Sequence, residues 1–257
     1  MNRPVYAIDL PGFGKSSRIA FLDDAILVEQ QYVKIIENWR VNMKIEKMNF
    51  CGHSMGGFIG FSYAISFPQH VQHLILADPW GLTEKPSDKK RNYSNISDKI
   101  GSFFSTIAYP ITLLRMLGPF GQAVIDITFP ELVANLTAFV GNKETVVQYI
   151  HQMNLKTPTG EGAFKTMMDE YYWVKNPMIK RIDKLSETIP ITLIWAEYSS
   201  LDKIDEDLFK QLRSKSYLKI HTVKGVTHEF FAYNSIEFNN LINESCALNS
   251  SVMVNPE

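Results

Sequence analysis

The chain has 257 residues, of which 45% are hydrophobic, and its formal net charge is −1. This length suits one large domain, or one domain with a sizeable insertion. A charge so close to zero argues against a nucleic-acid binder, which normally carries a basic excess. The two cysteines, Cys51 and Cys246, provide no disulfide framework and favour a reducing compartment.

Strand and helix signals alternate along the first 80 residues and again near the end of the chain. Short apolar runs predict buried strands at 5–10, 48–51, 73–77, 191–195 and 218–223. Helical spacing or capping signals predict helices that begin after Asp23 or Asp24, and at 56–66, 205–214 and 235–246. Such alternation implies crossover connections, and therefore an α/β fold with a mostly parallel sheet.

The segment 81–188 lacks a series of buried strands and is rich in Phe, Met, Leu and Tyr at helical spacing. It is therefore predicted to be a helical insertion that caps a core made of 1–80 and 189–257. Four of its apolar side chains are candidates for an acyl-chain pocket or a lipid contact: Phe103, Phe104, Leu113 and Met116. The N-terminus shows no signal-peptide pattern, and the uncharged run 100–114 is too short for a typical membrane-spanning helix.

The most specific local motif is Gly52-His53-Ser54-Met55-Gly56, which lies between a predicted strand and a predicted helix. In that context Gly-x-Ser-x-Gly forms a nucleophile elbow, a tight turn that lifts the serine hydroxyl clear of the sheet. The turn demands small residues two places before and after the serine. The amide of Met55 then begins the helix and is the expected first donor of an oxyanion hole.

A serine hydroxyl needs a base, and in this architecture the acid and then the histidine follow the serine along the chain. His228 follows the last predicted strand, where the base belongs, and His221 is its competitor. Asp202 is the preferred acid among four candidates after the strand 191–195, the others being Glu197, Asp205 and Asp207. Asp78 is the alternative acid, although Pro79-Trp80-Gly81 after it favours a structural turn.

Several motifs together resemble one branch of the α/β-hydrolase-domain family. They are Arg3 to Ser17 (RPVYAIDLPGFGKSS), the elbow, Asp78-Pro79-Trp80-Gly81, Thr157 to Phe164 (TPTGEGAF) and Asn176 to Ile182 (NPMIKRI). That branch contains an N-acyl phospholipid lysophospholipase and the lipid-droplet coactivator of adipose triglyceride lipase. The resemblance implies an α/β-hydrolase fold and a serine hydrolase of lipid acyl esters or amides with the triad Ser54, Asp202 and His228.

The resemblance also implies the setting of the protein and two competing functions. It implies a cytoplasmic protein that uses no cofactor or metal and associates with a lipid-droplet, endoplasmic reticulum or mitochondrial surface. The alternatives are a weakly active or inactive regulator of a triacylglycerol lipase and a lysophosphatidate acyltransferase. The family's acyltransfer-associated His-x4-Asp motif is broken here, because Tyr233 occupies the aspartate position after His228.

The resemblance begins at the fourth strand of the family fold, which implies an N-terminally truncated chain. The family's first three strands and its His-Gly loop, which gives the second oxyanion amide, have no counterpart in the sequence. Loss of one such donor typically lowers the rate about 100- to 1000-fold. A gap inside the sheet, between 5–10 and 48–51, is the structural expectation.

Overall fold

The computed structural model of the protein describes residues 3–86, 112–169 and 172–247. These residues form four β-strands and ten named α-helices within the described ranges. In chain order they are α1 (Ala25–Asn42), β1 (Met48–His53), α2 (Met55–Ser66), β2 (Val71–Ala77), α3 (Thr112–Met116), α4 (Gln122–Thr128), α5 (Pro130–Val140), α6 (Lys143–Asn154), α7 (Thr159–Met167), β3 (Ile191–Ala196), α8 (Glu206–Leu212), β4 (Leu218–Val223), α9 (Phe230–Tyr233) and α10 (Ser235–Ala247).

The described strands form one parallel sheet in the order β1-β2-β3-β4. Every residue of β3 is buried, as are six of the seven in β2, which is why these strands are mostly apolar rather than alternating between apolar and polar residues. The α/β fold class predicted from the sequence is confirmed by this sheet and its flanking helices.

The chain divides into two compact units. The first contains Glu29–Glu84 and Asn176–Glu257, and includes the sheet. One of its cores joins β2, β3 and β4 to the C-terminal helices through Ile75, Ile194, Val223 and Phe230. The second unit contains Asn2–Val28 and Lys85–Lys175, and its core joins α3 to α6 through Leu114, Ile125, Val133, Val146 and Ile150.

The predicted buried strand at 5–10 is wrong. These residues belong to no β-ladder of the described sheet, and the side chain of Val5 is 90% exposed. An apolar run becomes a buried strand only when neighbouring strands satisfy its backbone N–H and C=O groups. The expected gap inside the sheet is also not observed, because β1 stands at the end of the strand order and pairs with β2.

The loop that follows this segment is held by its own polar groups. The Asp9 carboxylate accepts a hydrogen bond from the Lys15 amide at 2.8 Å, and the Ser16 hydroxyl donates to the Asp9 carbonyl at 2.6 Å. Gly12 and Gly14 have φ of 89° and 46°, which a residue with a Cβ rarely adopts. Glycine at these two positions therefore lets the chain turn sharply after the segment 5–10.

A buried ion pair fixes the start of the first unit. Arg181 donates to Glu29, which is 5% exposed, and also to the Ser62 hydroxyl at 3.1 Å. The guanidinium lies 5.1 Å from the centre of the Phe58 ring. Two charges removed from water in this way depend on each other, since either one alone keeps its desolvation cost.

We therefore expect Arg181→Met to lower the free energy of unfolding by about 3 kcal/mol, because it leaves the Glu29 carboxylate buried without its cation. The double variant Arg181→Met with Glu29→Gln should recover much of that loss. Urea denaturation followed by circular dichroism measures both. Exposed ion pairs contribute only about 0–1 kcal/mol. If the free energy of unfolding of Arg181→Met stays within about 0.5 kcal/mol of the wild-type value, the pair behaves as a solvated one and the prediction is wrong.

Candidate active site

The nucleophile elbow has the strained backbone that its motif predicts. Ser54 joins β1 to α2 with φ 53° and ψ −122°, outside the regions that a residue with a side chain prefers. Its amide donates to the Ala77 carbonyl at 3.1 Å, and its carbonyl accepts from the Trp80 amide at 3.1 Å. The turn is thus tied to the end of β2 on both sides of the serine.

The two glycines of the motif are not equivalent. A Cβ on Gly52 would lie 2.2 Å from the carbonyl oxygen of Gly56, which is closer than any real contact. A Cβ on Gly56 would meet no heavy atom within 4 Å beyond its own helix backbone. The sequence predicts small residues at both positions. Local packing requires one at Gly52 but not at Gly56. Gly57 is also restricted, because its Cβ would come within 2.9 Å of Pro79.

His228 lies in the loop between β4 and α9, and its Nδ1 is 2.6 Å from Oδ2 of Asp78. Asp78 directly follows β2, with φ 42°, and is 0% exposed. A buried carboxylate is stable only if its oxygens are hydrogen-bonded. Besides His228, Asp78 accepts a hydrogen bond from the Ser199 hydroxyl at 2.7 Å, and the amide of Ala196 points at Oδ1 from 3.4 Å.

This pairing determines what His228 can do. The carboxylate of Asp78 accepts, so Nδ1 of His228 donates and carries the hydrogen. In the neutral form of the ring, the other nitrogen, Nε2, then carries the lone pair that can remove a proton. The structure therefore supplies a base, after β4, that is oriented by an acid, after β2, at the carboxyl ends of strands of one parallel sheet, where α/β sheets place their sites.

Asp202, the preferred acid from the sequence, is not the residue placed against Nδ1 of His228. The structure puts Asp78, the alternative acid, in that position, and Nδ1 has only one hydrogen to donate. Asp202 is half-buried, and its backbone carbonyl accepts from the Thr83 hydroxyl at 3.4 Å.

The remaining candidates have other roles. Asp205 caps α8 by accepting from the Leu208 amide at 2.8 Å, and Asp207 is exposed beside Lys210. Glu197 accepts from the Gly225 amide at 2.8 Å and so fastens the loop that leads to His228. The competing base, His221, lies within β4, and burial lowers the pKa of its imidazole.

Two polar residues of the site were missed by the sequence analysis. Ser199 shares Oδ2 of Asp78 with His228, and His53 places its Nε2 2.9 Å from the backbone carbonyl of His228. Neither has a sequence signal beyond its neighbourhood, a loop after β3 for Ser199 and the elbow for His53. Their roles depend on atoms that are far away in the chain.

Met55 is the first residue of α2, which has 12 residues. The first amides of a helix have no acceptor within it, and its dipole favours negative charge at that end. This placement is consistent with Met55 as an oxyanion donor. Among the described residues, the Ser54 hydroxyl makes no side-chain cap to this helix, so it does not compete for those amides.

The candidate lipid contacts are only partly described. Phe103 and Phe104 lie outside the described residues, and Leu113 falls in α3, where only its backbone is described. Met116 is 79% exposed at the end of that helix. These four residues stay a prediction.

No single helix of the described ranges has the length and apolar composition to cross a bilayer. One pair of helices bent by 95°, Gly118–Ile127 with Leu132–Val140, meets that test together. In the same ranges, no three His, Cys, Asp or Glu side chains are grouped as metal ligands.

Comparison with known proteins places this geometry in context. The family model described as alpha/beta hydrolase fold matches residues 3–220. Human "1-acylglycerol-3-phosphate O-acyltransferase ABHD5" is 38% identical over 247 residues, covering 95% of this chain and 70% of that protein. Human "(Lyso)-N-acylphosphatidylethanolamine lipase" is 34% identical over 247 residues, covering 95% and 72%.

Solved structures agree at the level of the fold. Bromoperoxidase from Bacillus anthracis superposes with a TM-score of 0.61 at 15% identity, covering 93% of this chain and 79% of that one. With its parallel sheet, its elbow at Ser54 and these relatives, the chain belongs to the α/β hydrolase fold family, in the branch of ABHD5 and the (lyso)-N-acylphosphatidylethanolamine lipase.

Proposed function

We propose that the protein is a serine hydrolase that acts on acyl esters or amides of lipids, of the lysophospholipid or N-acyl phospholipid type. The observation that carries this proposal is the 2.6 Å contact between His228 and the buried Asp78, in a site whose elbow presents Ser54. A buried carboxylate, an oriented imidazole and a strained serine are the parts that acyl transfer requires.

In the proposed reaction, Ser54 attacks the acyl carbonyl while Nε2 of His228 takes the proton of its hydroxyl. The Asp78 carboxylate stabilises the imidazolium that forms, and the Met55 amide at the start of α2 donates to the oxyanion. His228 then returns the proton to the leaving alcohol or amine. Water, activated by the same histidine, hydrolyses the acyl-enzyme and regenerates the serine.

The lipid substrate class is supported by the relatives rather than by a pocket. Two of them are named for chemistry on glycerophospholipids, and each matches 95% of this chain. A substrate of this kind resides in membranes or lipid droplets. We therefore propose a cytoplasmic protein that works at such a surface, on a lipid droplet, the endoplasmic reticulum or mitochondria.

A fluorophosphonate probe tests the nucleophile, because it reacts with a serine only when a base activates it. We expect the wild type to be labelled, and Ser54→Ala to lose labelling at least about 1000-fold, the scale set by losing a catalytic serine. Ser199→Ala is the matched control: it keeps the nucleophile and removes one hydrogen bond to Asp78, so it should still be labelled, at a rate lowered by no more than about tenfold. Labelling of Ser54→Ala at the wild-type rate, or a folded wild type that resists the probe, would refute the proposal.

A second candidate is acyl transfer to lysophosphatidate, favoured by the name of the ABHD5 relatives. Against it stands Tyr233 at the place of the motif aspartate after His228. Mass spectrometry of products separates the two: release of fatty acid from N-acyl phosphatidylethanolamine or lysophospholipid supports hydrolysis, whereas phosphatidate made from acyl-CoA and lysophosphatidate supports transfer. A non-catalytic regulator of a lipase would give neither product and no labelling.

A further inference from the structure

His53, the residue before the nucleophile, contacts the catalytic base His228. Its Nε2 is 2.9 Å from the backbone carbonyl of His228, and the centres of the two imidazole rings are 4.4 Å apart at 41°. The ring of Phe231 contacts the His53 imidazole edge-on, with 4.9 Å between the ring centres. His53 therefore lies against both the loop that carries the base and the start of α9.

The surroundings of the His53 ring determine its protonation state. Burial, and then the neighbouring His228, lower the pKa of the His53 imidazole from its usual 6.5 to about 4. The ring is therefore neutral at pH 7, so one nitrogen carries a hydrogen and the other does not. Because a carbonyl oxygen can only accept, the hydrogen is on Nε2, and His53 donates to His228.

This donor comes from the elbow itself. His53 directly precedes Ser54 in the sequence. Its hydrogen bond therefore joins the backbone beside the nucleophile to the backbone of the base, 175 residues later in the same chain. The loop of the base is fastened at Gly225 by Glu197 and on the imidazole by Asp78. The third point of attachment is the backbone carbonyl of His228, which accepts a hydrogen bond from His53.

We infer that His53 is a positioning residue for the catalytic base. It holds the backbone of His228 so that Nδ1 of His228 meets Asp78. Because the His53 ring is neutral, it adds no charge against the imidazolium that forms during acyl transfer. This inference rests on the proposed function for its catalytic meaning. The arrangement itself exists whether or not the protein turns over a lipid.

Two variants separate the donor from the ring. His53→Phe keeps an aromatic ring but removes the donor, whereas His53→Gln keeps an N–H donor but removes the ring. We expect the rate constant of fluorophosphonate labelling to fall about tenfold in His53→Phe, the scale of one lost hydrogen bond, and to recover in part in His53→Gln. A role limited to filling space would give the opposite order, with His53→Phe near the wild type.

Proton NMR gives a readout that does not need turnover. The Nδ1–H of His228, assigned by its loss in His228→Gln, should appear downfield in the wild type because it is bonded to a carboxylate at 2.6 Å. In folded His53→Phe this signal should broaden through faster exchange with water, and in His53→Gln it should persist. An unchanged signal and labelling rate in His53→Phe would overturn the inference. If the wild type is not labelled, the proposed function fails, and the NMR comparison still decides the role of His53.

Discussion

Asp78→Asn is expected to slow fluorophosphonate labelling and lipid hydrolysis by about 1000- to 10000-fold, the scale seen when the acid of a triad becomes an amide. The carboxylate of Asp78 holds the hydrogen of His228 on Nδ1 and stabilises the charged ring. An amide at this place can present N–H to the ring and favour the other tautomer, which has no lone pair on Nε2 for the serine proton. The variant keeps the shape of a fully buried side chain, so the loss should fall on kcat rather than on stability.

Asp202→Asn is the matched comparison for this prediction. If Asp78 orients the base, the Asp202 variant should stay within about threefold of the wild type, as for a residue outside the reacting set. Second-order rate constants of labelling, measured on variants with equal thermal midpoints, compare the two directly. The reverse pattern, with Asp202→Asn inactive and Asp78→Asn active, would show that Asp202, the acid preferred from the sequence, is the catalytic acid.

Gly52→Ala is expected to destabilise the protein by more than about 4 kcal/mol, so that little folded protein is recovered. Its Cβ would stand 2.2 Å from the carbonyl oxygen of Gly56 and 2.4 Å from the carbonyl carbon. Both are backbone atoms of a helix that packs on β1, so no side-chain rotation relieves the overlap. Either the elbow opens, or α2 moves away from the strand.

Gly56→Ala supplies the control for this prediction. A Cβ there meets no atom within 4 Å outside its own helix backbone, and alanine in a helix is favoured over glycine by roughly 1 kcal/mol. We expect a thermal midpoint equal to or above that of the wild type, measured by circular dichroism. Equal destabilisation by the two alanines would show that the motif needs small residues for a reason other than the overlap at Gly52.

The buried strands and the elbow were readable from the sequence because local signals determine them. Four of the five predicted strands are present, and Asp24 caps α1 by accepting from the amides of Ile26 and Leu27. The segment 5–10 failed because its apolar pattern describes a strand only if another strand lies beside it. Local pattern carries no information about whether that neighbour is present.

The sequence singles out Ser54 and His228 by motif and chain order, but it does not give the partner of that histidine. His228 follows the last strand and Ser54 sits in a motif, so chain order alone places them. The choice between Asp78 and Asp202 depends on which loop end reaches Nδ1, and sequence spacing cannot measure that. The residues after Asp78 favour a structural turn, whereas the structure gives Asp78 φ 42° and a buried carboxylate that is bonded to His228 and Ser199.

The hydrogen bonds around Ser54 have a consequence for how the site opens. The Ser54 amide is bonded to the Ala77 carbonyl, and the Trp80 amide is bonded to the Ser54 carbonyl, so these two hydrogen bonds continue the pairing of β1 with β2 into the elbow and the loop after β2. Amides linked in this way exchange with solvent through one cooperative opening rather than separately. The amides of Ser54 and Trp80 should therefore lose their protection together when β1 separates from β2, whereas the Asp78 amide, bonded to the Ile194 carbonyl of β3, should stay protected until β2 and β3 also separate.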